Sequence, residues 1–327
     1  SVYTSSKYII DDPELDAIDG GLGLAPMETD RAGDEGPSLS FILSALDIPG
    51  ATVETFHPKA VHLYGNTLYV ANDAPGHYSL EVFDVSSGNV RHVKSMVEWM
   101  NGDKKETFAG EPNGVTRSYG KIYVTNTGSR TDVFDAETYE FITCIGTGTW
   151  GEGGYQTVHA FDVTASQGAV FIRDKRKLVV VLEQDVQPGS AARVPIYSRS
   201  VNLQEAMGTY AVAARNDGFL YVTAQNKNMI YLFDPADIRA GDTGFAPYLV
   251  ALGFEKSPQS IAFVGDRLFV TLRVDDKRSE LWEISPKNGK LLQDFTDSMV
   301  YPEKIAGARH TLLVVDRATQ TVKAIGL

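Results

Sequence analysis

Cysteine is nearly absent from this sequence, because Cys144 is the only one among 327 residues. A chain with one cysteine cannot form an internal disulfide or a metal site built from several cysteines. Cys144 lies in the apolar string Phe141-Ile142-Thr143-Cys144-Ile145, which is typical of a buried strand. We therefore predict a buried, unreactive thiol and not a nucleophile.

Other features that the sequence lacks argue against further classes of protein. The sequence has no apolar run of about 18 residues, so no transmembrane segment is predicted. Long stretches with the periodicity of an amphipathic helix are also lacking. No Asn-x-Ser/Thr site occurs, which disfavours a eukaryotic secreted glycoprotein. The first residue, Ser1, is not followed by a basic and then apolar leader, so we expect that a signal peptide was removed or never existed.

Positive charge is scarce, and the formal net charge is −12. No nucleic-acid partner is predicted, because binding phosphates requires clustered cations. More than half of the acidic excess lies in residues 1–37, where nine acidic residues face only Lys7 and Arg31. We predict that residues 1–37 form an acidic lead-in, mobile or draped over the surface, ahead of one domain at 38–327.

Short apolar strings rich in β-branched and aromatic residues recur six times, 44 to 54 residues apart. They are Leu68-Tyr69-Val70, Ile122-Tyr123-Val124, Val170-Phe171-Ile172, Leu220-Tyr221-Val222, Leu268-Phe269-Val270 and Leu312-Leu313-Val314. Turns such as Tyr64-Gly65-Asn66-Thr67 precede them, with residues that accept positive φ. In four units a proline, at 58, 112, 258 or 302, stands twelve residues before the end of the string.

Further strands follow each string. The third strand of a unit is exemplified by Ile230-Tyr231-Leu232-Phe233-Asp234. A fourth strand, such as Glu140-Phe141-Ile142-Thr143, closes most units. Four strands per unit at a period of roughly 40–50 residues is typical of propellers. The sequence therefore predicts an all-β fold, a six-bladed β-propeller with four-stranded antiparallel blades.

The two ends of the domain are predicted to share one blade. After residues 322–327 nothing remains for a fourth strand of the last unit, whereas residues 39–43 have no unit of their own. We predict that this N-terminal strand closes the last blade, which leaves no large exposed sheet edge.

A glycine motif follows the second unit. Gly146-Thr147-Gly148-Thr149-Trp150-Gly151 matches the G-x-G-x-x-G dinucleotide pattern, but that function requires a helix next, and Glu152-Gly153-Gly154 follows instead. A loop between blades is therefore predicted. Its aromatic residues Trp150 and Tyr155 either stack on a sugar ring or a partner, or pack back onto the blade.

Two family resemblances follow from these residues. Ile122-Tyr123-Val124-Thr125-Asn126-Thr127-Gly128, with Val133-Phe134-Asp135, resembles the YVTN class of propeller repeat, and the loop at 146–154 resembles NHL-type propellers. These resemblances imply a binding or scaffolding protein outside the cytoplasm. Separately, Glu111-Pro112-Asn113-Gly114 is similar to the Pro-Asn-Gly motif of gluconolactonase-type lactonases. That similarity implies that Asn113 is a ligand of a divalent cation in the central tunnel; at the later position where the family has a carboxylate, this chain has Gln259.

Candidate site residues come from the alignment of the prolines. Innermost strands of a propeller start around the central tunnel, so the residues after the aligned prolines, Lys59, Asn113, Gln259 and Glu303, are predicted at one mouth, with His159 from the third unit. This polar ring either binds a small polar ligand or ion, or only bonds water.

The first functional hypothesis is a non-catalytic, extracytoplasmic protein, periplasmic or at the cell surface, that binds a protein or glycan and has no cofactor. It depends on the lack of a complete catalytic set. The alternative is a metal-dependent lactonase or ester hydrolase with Ca²⁺ in the tunnel, held by Asn113 and Glu303, with His159 nearby.

Overall fold

The computed structural model describes residues 28–86, 88–147, 157, 159–174, 178–188, 194, 211–224, 228–234 and 249–327. Apart from short 3-10 helices at Ala32–Asp34, Ala45–Asp47, Glu183–Asp185 and Thr296–Ser298, the regular structure of these residues is β-strand. None of the described helices has the length and apolar character that a membrane-spanning helix needs.

The strands form six antiparallel blades. The first strand of the chain is β1 (Phe41–Leu43). Blade 1 contains β2 (Pro58–Tyr64), β3 (Thr67–Asn72), β4 (Ser79–Asp84) and β5 (Arg91–Met96). A separate hairpin of β6 (Glu98–Asn101) and β7 (Lys104–Thr107) precedes blade 2, which contains β8 (Pro112–Ser118), β9 (Lys121–Asn126), β10 (Arg130–Asp135) and β11 (Phe141–Ile145).

The second half of the chain continues the pattern. Blade 3 contains β12 (Ala160–Ser166), β13 (Ala169–Asp174) and β14 (Leu178–Leu182) among the described residues. Blade 4 contains β15 (Val212–Ala214), β16 (Leu220–Ala224), β17 (Met229–Phe233) and β18 (Leu249–Gly253). Blade 5 contains β19 (Ser257–Val264), β20 (Arg267–Arg273), β21 (Ser279–Ile284) and β22 (Leu291–Asp294). Blade 6 contains β23 (Pro302–Ala308), β24 (Thr311–Asp316), β25 (Thr321–Gly326) and β1.

The blades form a closed ring. The first strand of each blade contacts the first strand of the next, in the order β2, β8, β12, β15, β19, β23 and back to β2. The N-terminal strand pairs with the last strand of the chain, with Phe41 opposite Ala324 and Leu43 opposite Val322. The predicted six-bladed β-propeller, closed by an N-terminal strand, is therefore confirmed.

The hydrophobic core lies between neighbouring blades. One apolar cluster fills each of the six blade interfaces among the described residues, and the cluster that joins blade 6 to blade 1 includes Leu43. The predicted apolar strings are the second strands of the blades, and their central residues Tyr69, Tyr123 and Tyr221 are fully buried. Both faces of these strands are covered, which explains why their sequences do not alternate between apolar and polar residues.

Candidate functional site

The first strands of the blades line a central tunnel, and each runs from one mouth to the other. We name the mouth at the start of these strands the front mouth and the mouth at their ends the back mouth. A cavity of about 500 Å³ lies at the front mouth. It is lined by Lys59, Glu111, Asn113, Thr127, Phe161, Gln259, Arg273, Asp276, Tyr301, Glu303, Lys304 and Arg317.

Four of the predicted site residues therefore meet at one cavity: Lys59, Asn113, Gln259 and Glu303. His159 does not line it. Its backbone N–H donates to Asp174, and blade 3 contributes Phe161 to the lining instead. That these residues bind a ligand stays a prediction.

Glu303 is the charged centre of the front mouth. Its Oε1 accepts a hydrogen bond from Lys59 Nζ at 2.5 Å, and its Oε2 lies 3.5 Å from a guanidinium nitrogen of Arg317. Burial raises the pKa of Glu303, but the neighbouring Lys59 and Arg317 lower it by more, so the carboxylate is ionised. Burial lowers the pKa of Lys59, and the Glu303 carboxylate more than offsets this, so the pKa of Lys59 is raised.

Two buried oxygens of this site accept no hydrogen bond from the residues that the structure describes. Glu303 Oε2 and Gln259 Oε1 are both buried without a hydrogen-bond partner. The amide nitrogen of Gln259 donates to the Tyr301 hydroxyl at 3.2 Å, so its amide oxygen is the atom left to accept a hydrogen bond. Oxygens of this kind in a polar cavity can accept a hydrogen bond from water or from a ligand.

The arrangement does not fit a divalent cation. The Asn113 side-chain oxygen already accepts a hydrogen bond from Thr125 at 2.9 Å, and Glu303 is engaged by two cations. Among the residues that the structure describes, no group of three His, Cys, Asp or Glu residues is placed to hold a metal ion. Calcium prefers several oxygen ligands free of competing positive charge.

A buried ion pair separates the two ends of the tunnel. Lys304 of blade 6 lies 3.4 Å from Asp162 Oδ1 of blade 3, the opposite blade, and its Nζ donates to the Phe161 carbonyl at 2.6 Å. Asp162 also accepts the backbone N–H of Val212 at 3.0 Å. Burial lowers the pKa of Lys304 and raises that of Asp162, and in each case the partner charge opposes this.

The back mouth holds a second cavity, of about 370 Å³, lined by the ends of the first strands and by Thr29, Asp30, Arg31, Gly33 and Asp34. The described part of the acidic lead-in therefore lies across this mouth. The neutral form of His62 is favoured there, because burial and the nearby Arg117 lower the pKa of the imidazole to about 4.

The remaining residues singled out by the sequence are Trp150, Tyr155 and Cys144. Trp150 and Tyr155 lie outside the described residues. Cys144 is buried in blade 2, where burial raises the pKa of its thiol to about 11. An unreactive thiol is thus the form that its surroundings favour.

Sequence reasoning missed Lys304, Arg317, Phe161 and Tyr301 at the front mouth. A signal existed for two of them, because Tyr301 and Lys304 flank the aligned Pro302-Glu303 pair. Arg317 comes directly after β24, and its distance in sequence from the aligned proline does not predict that it lies at the front mouth.

These observations define the class of protein: a six-bladed β-propeller whose tunnel carries a polar cavity at each mouth. No family model matches the chain, and no curated protein sequence matches it. The YVTN or NHL type therefore stays a prediction.

Solved structures that share the fold were found. Virginiamycin B lyase from Staphylococcus aureus is 12% identical, with a TM-score of 0.56 over 88% of this chain and 99% of that one. A putative 6-phosphogluconolactonase from Bacteroides fragilis is 15% identical, with a TM-score of 0.54 over 82% of this chain and 79% of that one. The β-propeller domain of Cps50 (Swd1) from Myceliophteria thermophila is 11% identical, with a TM-score of 0.52 over 85% and 99%. At these identities the likeness extends to the fold alone, which serves binding proteins and enzymes alike.

Proposed function

We propose that this protein is a non-catalytic binding propeller that takes a hydroxyl-rich ligand, a glycan or its terminal sugar, at the front mouth. The observation that carries the proposal is the pair of buried acceptor oxygens, Gln259 Oε1 and Glu303 Oε2, on side chains that line the cavity. Sugar hydroxyls are donors that satisfy such oxygens after a small side-chain rotation.

The other lining residues suit the same ligand class. Phe161, which is half-buried in the cavity wall, supplies aromatic surface for the apolar face of a sugar ring. Lys59 and Arg317 supply donors for ring and hydroxyl oxygens. A few polar groups placed among aromatic residues in a concave site are typical of small-molecule binding.

The proposal includes an extracytoplasmic location, periplasmic or at the cell surface, which the resemblance to YVTN and NHL propellers supports. Cell fractionation tests it, and a protein found only in the cytosol contradicts it.

Isothermal titration against a panel of oligosaccharides, amino sugars, peptides and cell-wall fragments tests the ligand class. We expect Gln259→Leu to weaken the bound glycan at least about tenfold, because the amide oxygen is lost while the side-chain volume is kept. The matched control is Gln293→Leu, on the exposed outer strand of blade 5, which should leave the affinity unchanged.

Two results contradict the proposal. One is equal affinity of the Gln259→Leu and Gln293→Leu proteins for every ligand that binds. The other is consumption of the bound glycan, followed by nuclear magnetic resonance, which would make the protein an enzyme.

A further inference from the structure

Residues 28–36, which we name the strap, cross the back mouth and bind the turns at the ends of the first strands. In blade 1 the Gly65 N–H donates to the Gly33 carbonyl at 2.8 Å. In blade 3 the Gln167 N–H donates to Thr29 Oγ1 at 3.0 Å. In blade 4 the strap donates in return, from Arg31 to the Asn216 carbonyl at 2.6 Å.

Asp30 makes the most specific contact of the strap. Its carboxylate accepts the Tyr64 hydroxyl at 3.1 Å and the Tyr119 N–H at 2.7 Å, so it joins blades 1 and 2. The Tyr119 hydroxyl also donates to the Glu28 carbonyl at 2.6 Å. Bonds to a charged acceptor are stronger than those between neutral groups, and here they fix the position of one side chain.

The strap has no apolar anchor. All its residues are exposed or half-buried except Gly33, which is buried against the ring of Tyr64. A Cβ atom at Gly33 would lie 2.5 Å from Tyr64 Cδ2, so only glycine fits. A segment held mainly by hydrogen bonds, with one glycine packed on an aromatic ring, can exchange with a competitor that offers the same groups.

The charges of the two surfaces are complementary. The strap carries Glu28, Asp30, Asp34 and Glu35 against Arg31. On the propeller side the cavity is lined by Arg117, Arg215 and Arg309, and its one acid, Asp162, is paired with Lys304. Arg215 is paired with Asp217, whereas Arg117 and Arg309 have no acidic partner within 4.0 Å among the described residues.

We propose that the back mouth is a docking surface for an acidic peptide with the pattern Asp-x-x-Gly, and that the strap is its resident occupant. The partner is a protein segment in which the aspartate takes the place of Asp30 between Tyr64 and Tyr119, and the glycine takes the place of Gly33 on the Tyr64 ring. This surface is separate from the front mouth, because the Lys304–Asp162 pair lies between them.

The experiment uses the full chain with the strap released by one substitution. Gly33→Val places a side chain against the Tyr64 ring and the Gly65 nitrogen, and Gly33 has no positive φ, so the substitution disturbs the contact of the strap with blade 1 and not its backbone conformation. Ala32→Val, at the exposed neighbouring position, is the control. Hydrogen exchange of residues 28–36 reports whether the strap is bound, and titration with a synthetic peptide of residues 28–37 reports whether the surface is free.

We expect fast exchange of the strap and tight peptide binding in Gly33→Val. The original protein and Ala32→Val should keep the strap protected and bind the peptide more weakly, because the peptide must first displace the strap. The peptide with Asp30→Asn should bind about tenfold more weakly, and added salt should weaken binding further. A second full-length variant, Asp30→Asn, adds no volume and should also speed strap exchange.

The proposal is overturned if Gly33→Val leaves the strap protected, if the freed surface does not bind the peptide, or if a scrambled peptide of the same composition binds equally well. It is also overturned if inorganic phosphate displaces the peptide as well as the unlabelled peptide does, since the surface would then recognise small anions.

Discussion

Replacing Lys304 by methionine removes the positive charge that bridges the tunnel from blade 6 to blade 3. The Lys304 side chain is 7% exposed, and its ammonium lies 3.4 Å from Asp162 and 2.6 Å from the Phe161 carbonyl. The variant leaves the Asp162 carboxylate buried, with the Val212 N–H as a remaining donor. Removing one partner of a buried pair costs about 3–5 kcal/mol, because the other charge stays desolvated.

This loss of stability corresponds to a lower melting temperature. A propeller of about 290 residues has an unfolding entropy of roughly 0.6 kcal/mol per kelvin, so a loss of 3 kcal/mol lowers Tm by about 5 °C. We expect Asp162→Asn to destabilise the protein as well, and the double variant Lys304→Met with Asp162→Asn to lose less than the sum of the single variants by about 1–3 kcal/mol.

The assay is equilibrium urea unfolding of the original protein, the two single variants and the double variant. The double-mutant cycle separates the pair interaction from the loss of packing by the lysine stem. Single variants that stay within about 0.5 kcal/mol of the original protein, or losses that simply add, would refute the buried bridge between blades.

Three further predictions test other parts of the structure. The stability of His62→Gln relative to the original protein should rise by about 2 kcal/mol between pH 7 and pH 5. Burial and Arg117 lower the pKa of His62 in the folded protein to about 4. The original protein therefore loses stability as the pH falls below 6.5, the ordinary pKa of the imidazole in the unfolded chain, and the variant does not. Urea unfolding at both pH values checks this, and an equal difference at each contradicts it. Leu43→Ala, at the fully buried position of the closing strand, should cost about 2–5 kcal/mol. Ile42→Ala, at the neighbouring position that is 65% exposed, should change stability by less than about 0.5 kcal/mol, and equal losses would argue against the closure. Calcium and a chelator should each leave the Tm unchanged, and a calcium-dependent rise that Asn113→Ala abolishes would restore the metal-dependent lactonase as a candidate.

The architecture was predictable because the repeating unit is local in sequence. Each apolar string is the second strand of a blade, buried on both faces, and the turns before the strings need residues such as Gly65, which has a φ of +59°. The closing strand was predictable by elimination, since Phe41 and its neighbours had no unit and the last unit lacked a strand. The pairing of Phe41 with Ala324 agrees with that reasoning.

The candidate site was predictable only where the prolines set the register. Lys59, Asn113, Gln259 and Glu303 each follow an aligned proline, and the first strands of all blades start at the same mouth. Blade 3 has no such proline, so counting placed His159 at the mouth, where the structure has Phe161.

Features that cross the tunnel could not be derived from the sequence. Which long side chain spans the distance between opposite blades depends on the tunnel width, so the pairing of Lys304 with Asp162 had no signal in the sequence, although Lys304 itself adjoins the aligned Pro302-Glu303 pair. The strap has neither apolar periodicity nor strand pattern, and its position depends on hydrogen bonds with turns from several blades, such as the contact of Asp30 with Tyr119.

A crystal structure of the protein with the tightest-binding glycan tests the central claim most directly. We predict a sugar ring in the front mouth, against Phe161, with hydroxyl groups that donate to Gln259 Oε1 and Glu303 Oε2. A glycan bound only on the outer strands, or a front mouth that holds water while the glycan is bound elsewhere, would contradict the proposed site.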